Sequence, residues 1–69
     1  MEDIYKLIDD INLQKIENLD SRVNEALSSN NDDALFILGE TLYNFGLTPQ
    51  GLEVFRTLYH KRSEEHTSE

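Results

Sequence analysis

No cysteine occurs in the 69-residue chain, so no disulfide can staple it. No group of Cys and His at zinc-binding spacing stands in for one. A chain this short allows one domain at most and buries only ~60% of the surface that its unfolded form exposes. Its stability is therefore expected to draw on more chain or on a partner. Basic residues are few: six Lys and Arg against 14 Asp and Glu, a formal net charge of -8. Nucleic acids and anionic membranes reward clustered Lys and Arg, so this balance disfavours both as partners. It is compatible with a basic protein partner. No apolar run approaches the ~20 residues of a membrane span. The N-terminus, Met1-Glu2-Asp3-Ile4, carries acid where a signal peptide carries base, so the expected location is the cytoplasm.

The elements of a reaction centre are also missing. There is no glycine-rich phosphate loop and no calcium-loop spacing. The carboxylate pairs Asp9-Asp10 and Asp32-Asp33 are sequence neighbours, which point in different directions on a helix and do not converge. His60 is expected at a helix end, where a cation complements the dipole. Nothing orients a Ser and a His as nucleophile and base. The chain is expected not to be an enzyme and to use no metal or cofactor.

What is present is helical periodicity. Ile4, Leu7, Ile8 and Ile11 repeat at i, i+3, i+4 and i+7, which predicts a helix over 2–11. Acidic Glu2 and Asp3 suit its first turn. Leu13, Ile16, Leu19, Val23 and Leu27 form a second stripe, out of phase with the first. The spacing predicts a turn near Asn12 and a second helix over 14–28. Ser28-Ser29-Asn30-Asn31 reads as a turn. A third helix is predicted from Asn31, Asp32 and Asp33, which supply a cap and first-turn carboxylates. It runs to about Phe45, with Leu35, Leu38, Leu42 and Phe45 on one face. Gly46 is the expected left-handed C-cap. Thr48 and Pro49 suit the N-cap and first position of a fourth helix over about 49–61. Its stripe is Leu52, Phe55, Leu58 and Tyr59, with His60, Lys61 and Arg62 at its end. The fold class is all-α, built of antiparallel helical hairpins.

Residues 32–63 resemble a tetratricopeptide repeat, whose pattern spans ~34 residues. Leu35-x-x-Leu38-Gly39-x-x-Leu42 matches its first half and Gly51-x-x-x-Phe55 its second. Leu35 stands where the family has Trp, Leu42 where it has Tyr, and Gly51 where it prefers Ala. The family's closing Pro would fall near Ser63. Gly39 and Gly51 would let the two helices touch closely. The resemblance implies a piece of a helical-repeat scaffold: a divergent hairpin or cap over 1–31 and a repeat-like hairpin over 32–61. It also implies a protein-binding role, with Asp33, Phe36, Glu40, Tyr43 and Asn44 facing a groove for a peptide or helix of a partner. Phe36 and Tyr43 could equally pack on the preceding helix pair. A piece without its downstream neighbour is expected to leave Val54, Phe55, Leu58 and Tyr59 partly exposed and to self-associate through them or melt at modest temperature.

Two alternatives accompany this reading. Gly46-Leu47-Thr48-Pro49-Gln50-Gly51-Leu52 resembles the turn of a helix-turn-helix DNA-binding regulator, but Leu42 stands where that motif wants a small residue, and Arg56 and Lys61 are few bases for a recognition helix. A complete small helical chaperone or adaptor is the other. Residues 62–69, Arg62-Ser63-Glu64-Glu65-His66-Thr67-Ser68-Glu69, resemble the in-frame translation of a common sequencing-adapter oligonucleotide. They are expected to be an artefactual, disordered tail that carries no function. Without them the chain is still acidic.

Overall fold

Asp3 opens the first helix: its side chain accepts a hydrogen bond from the Tyr5 N–H at 3.1 Å, satisfying one of the donors that a helix start leaves over. A computed structural model describes the backbone of residues 3–66 and side chains as far as Lys61. Glu2, expected in the first turn, lies outside the described residues. Among them there are four helices and no strand: α1 (Ile4–Asn12), α2 (Leu19–Ala26), α3 (Asp32–Asn44) and α4 (Thr48–His66).

The stripe of α1 is buried as the periodicity predicts, at Ile4, Leu7, Ile8 and Ile11. The helix then stops sharply. The Gln14 N–H donates to the Ile11 carbonyl at 2.9 Å and the Lys15 N–H to the Asp10 carbonyl at 2.8 Å. This is a Schellman closure, with Gln14 at φ 63° in the position that glycine usually takes. It overturns the predicted helix over 14–28. Residues 13–18 form a connection, Asn18 is also left-handed at φ 54°, and α2 begins only at Leu19. Leu13 and Ile16, which looked like the start of the second stripe, are exposed at 58% and 40%. Val23 is buried, and Leu19 and Leu27 are half-buried against the core.

The Asn31 side chain caps α3 by accepting from the Ala34 N–H at 3.2 Å. Leu35, Leu38 and Leu42 are fully buried, but Phe45, expected with them, is largely exposed. It is the C-cap residue, so the chain has left the helical path that would have carried its ring inward. The α3–α4 turn is a second Schellman closure, with Leu47 N–H to Leu42 carbonyl at 2.8 Å and Gly46 N–H to Tyr43 carbonyl at 3.0 Å. Gly46 holds φ 76°, as expected of a left-handed C-cap.

The start and face of α4 both differ from expectation. The Leu47 carbonyl already accepts from the Gly51 N–H at 3.0 Å, so Leu47 takes the N-cap place and Thr48 and Pro49 fall one position later. Proline still loses nothing there, since first-turn N–H groups have no partner inside the helix. The buried face is Gly51, Val54 and Leu58, while Leu52 and Tyr59 point outward. The helix continues to His66 past the expected end at Lys61. His60 and Lys61 therefore sit within it and do not cap it. Helical backbone over residues 62–66 also departs from the disordered tail expected there. Thr67–Glu69 lie outside the described residues.

Three contacts along α3 and α4 show that they run antiparallel and side by side. Lys61 Nζ lies 3.8 Å from an Asp32 carboxylate oxygen, Gly39 faces the Phe55 ring and Gly51 faces the Tyr43 ring. α1 lies along α3, and α2 meets α4 over a shorter length. Arg22 of α2 donates to the Asp10 carboxylate of α1 at 2.9 Å, and Gln50 of α4 donates to Asp20 of α2 at 2.9 Å. The core between these layers holds Leu7, Ile11, Leu35, Leu38, Leu42 and Val54, all fully buried. Each such side chain contributes on the order of 1.5–3 kcal/mol relative to exposure.

Candidate functional site: an aromatic groove between α3 and α4

With the leucine face of α3 turned inward, helical geometry leaves Asp33, Phe36, Glu40, Tyr43 and Asn44 on the outer surface. All five are exposed. They form one continuous strip, because their spacings of three and four residues follow the helical turn. The structure thus brings together the five residues that the sequence singles out.

Phe36 and Tyr43 meet Phe55 of α4: the Phe36 ring approaches it edge-on with centroids 5.8 Å apart, and the Tyr43 ring stacks on it at 5.5 Å and 27°. Both arrangements suit the aromatic quadrupole. Phe55 is half-buried between them, and its ring sits on the bare backbone of Gly39. A Cβ at position 39 would lie 2.8 Å from Phe55 Cζ. The two glycines expected to allow close approach do so reciprocally, each receiving a ring from the other helix.

Beside this cluster lies a groove of about 480 Å³ lined by Asp32, Asp33, Phe36, Phe55, Leu58 and Tyr59. Tyr59 forms its outer wall and is 72% exposed. At the acidic end Lys61 reaches across the helix pair, donating to the Ser29 carbonyl and standing 3.8 Å from Asp32.

The surface expected for self-association is mostly absent from the exterior. Val54 is 0% exposed and Leu58 7%, because they face α3 and the first helix pair. Of the four residues named, only Phe55 and Tyr59 retain substantial surface, and Leu58 shows only an edge to the groove. Sequence reasoning missed that α4 carries two apolar stripes. Gly51, Val54 and Leu58 go inward, whereas Leu52, Phe55 and Tyr59, spaced three and four apart, form an outer stripe of which Phe55 and Tyr59 line the groove. The signal was present in that spacing, but the reading merged the two stripes into one.

Asp10 is bridged by Arg22 and has Lys6 at 4.0 Å. The Arg22 hydrogen bond above all holds the Asp10 carboxyl below its ordinary value. Its neighbour Asp9 is exposed, so the pair does not converge. Among the described residues no three His, Asp or Glu side chains gather as a metal site would require. No described helix is long and apolar enough to cross a membrane.

No family model matches the chain, and neither the curated proteins nor the solved structures contain a match to it.

Proposed function

We propose that the chain is a protein-interaction module of tetratricopeptide type, which holds a segment of a partner protein against the aromatic side of the α3–α4 hairpin. One observation carries the proposal: Phe36, Tyr43, Phe55 and Tyr59 form a contiguous ring surface outside an otherwise closed core. Large exposed apolar patches on small proteins mark interaction sites, and aromatic side chains dominate the energetics of such sites. Support for the repeat assignment comes from the glycine–ring contacts at Gly39 and Gly51 and from α1 lying along the α3–α4 hairpin on its α3 side. Under this reading the module acts in the cytoplasm, and residues 62–69 have no part in binding.

The DNA-binding alternative is weaker on two grounds. α3 and α4 stay side by side from Asp32–Lys61 to Tyr43–Gly51, whereas the two helices of a helix-turn-helix cross at about 90–120°. The exposed side of α4 presents Leu52, Glu53 and Tyr59 beside Arg56, a poor face for phosphates.

Site-directed photocrosslinking tests the proposal. A benzophenone amino acid in place of Tyr59 is expected to capture a partner protein, and the same group in place of Leu13, which is also exposed, is not. Equal capture from both positions would remove the groove as the docking site.

A further inference from the structure

Three properties of the α3–α4 groove together specify what fits it. Its walls are apolar, formed by Phe36, Phe55, Leu58 and Tyr59. Its surroundings are acidic: Asp33 lines it and Glu40 lies two turns further along the same α3 strip, and among the described residues neither makes an ion pair with a base. Asp32, in contrast, already has Lys61 beside it. Finally, both walls are helices, whose backbone groups are satisfied within each helix. An extended peptide would find no strand edge to pair with, so its N–H and C=O groups would gain no backbone partner from the groove. A helix meets its backbone needs internally.

We infer that the occupant is a short basic amphipathic helix of a partner protein. Its apolar side chains, spaced by three and four residues, insert between Phe36 and Tyr59. Its flanking Lys or Arg side chains face Asp33 and Glu40. This rests on the interaction role proposed above and adds the chemistry of the partner. The strip from Asp33 to Asn44 runs roughly 16 Å along α3, enough for about three turns of a docked helix, and the groove takes up its Asp33–Phe36 end. A second copy of this chain fits poorly, because it brings a net charge of -8 and the same two carboxylates to the contact.

The test titrates the full chain against three labelled peptides of about 14 residues, long enough for four turns, and reads fluorescence anisotropy. One has leucines at helical spacing flanked by lysines. The second replaces each lysine with glutamate, and the third breaks the lysine peptide with two central prolines. The lysine peptide is expected to bind at least about tenfold tighter than either of the others, and Tyr59→Ser and Asp33→Lys are each expected to weaken it by about tenfold. Both side chains are exposed, so the helical circular dichroism of the variants should match the parent. Equal affinity for the glutamate or proline peptide, with Tyr59→Ser still weakening binding, would overturn the inference and leave the groove as a docking site. No binding of any peptide, or binding indifferent to Tyr59→Ser, would overturn both. A stable dimer that Tyr59→Ser dissociates would assign the groove to a second copy and likewise overturn the inference.

Discussion

Gly39 on α3 and Phe55 on α4 are in such close contact that the missing side chain of one is the seat of the other: a Cβ at position 39 would lie 2.8 Å from Cζ and 3.0 Å from both Cε atoms of the ring. Phe55 cannot easily swing aside, because Phe36 and Tyr43 flank it. Gly39→Ala gains up to about 1 kcal/mol of helix propensity, but overpacking of a filled site loses about 1–3 kcal/mol. The net expected effect is destabilisation by about 1 kcal/mol, read from the urea midpoint. Adding Phe55→Leu, whose shorter side chain vacates the seat, should make Gly39→Ala far less harmful. If Gly39→Ala is as costly in the Phe55→Leu background, the ring is not what makes glycine necessary.

Gly51 is the milder counterpart. Its nearest neighbour is the Tyr43 ring edge, with Cδ2 at 3.0 Å from a built Cβ, and Tyr43 is 39% exposed. That ring has solvent to move into, so relief there is cheap. Gly51→Ala is expected to be neutral or to stabilise by up to about 1 kcal/mol from helix propensity. Thermal melts of the two alanine variants should therefore shift in different directions or by clearly different amounts.

Gln14 and Gly46 occupy the same left-handed position in two Schellman closures, at φ 63° and φ 76°. A residue with a Cβ is strained there by about 1–2 kcal/mol. Gln14→Gly is thus expected to stabilise the chain, by less than that amount because glycine also gains freedom in the unfolded state. Gly46→Ala is expected to destabilise it by about 1 kcal/mol, although nothing lies within 4 Å of its built Cβ. A neutral Gly46→Ala would mean that the turn relaxes to another conformation.

Asp10 ties α1 to α2 through Arg22, and that contact lowers its folded-state pKa. A lowered carboxyl contributes stability that is complete above the ordinary Asp pKa and is lost as pH falls through the folded-state value. Asp10→Asn removes the contribution at neutral pH but has little left to remove in acid. The difference in urea midpoint between parent and Asp10→Asn is therefore expected to shrink as pH is taken from 7 down to about 2–3, below the reference Asp value. A constant difference across that range would show that the ion pair does not report the titration of Asp10.

A chain ending at Lys61 tests whether the last residues support the fold. The twelve hydrophobic residues buried among the described residues all precede that point, so truncation is expected to change stability by no more than about 0.5 kcal/mol, as for changes away from core and caps. A larger loss would make the last turns of α4 part of the packed structure.

Much of this protein follows from local sequence. The stripe of α1, the Asn31 cap of α3, the Leu35–Leu38–Leu42 face and the left-handed Gly46 each depend on residues within a turn or two of one another, and periodicity and capping chemistry determine them. The five-residue strip from Asp33 to Asn44 follows as well, because once the leucines face inward the helix places the others outside. Three things were decided only by tertiary structure. The first is where α2 begins, since Gln14 has no local preference for the left-handed conformation that ends α1. The second is which of two equally regular stripes on α4 is buried, since spacing cannot say on which side a neighbouring helix will lie. The third is the register that sets Phe55 on Gly39 and Tyr43 on Gly51. Close approach of two backbones belongs to the pair, and neither helix carries it alone.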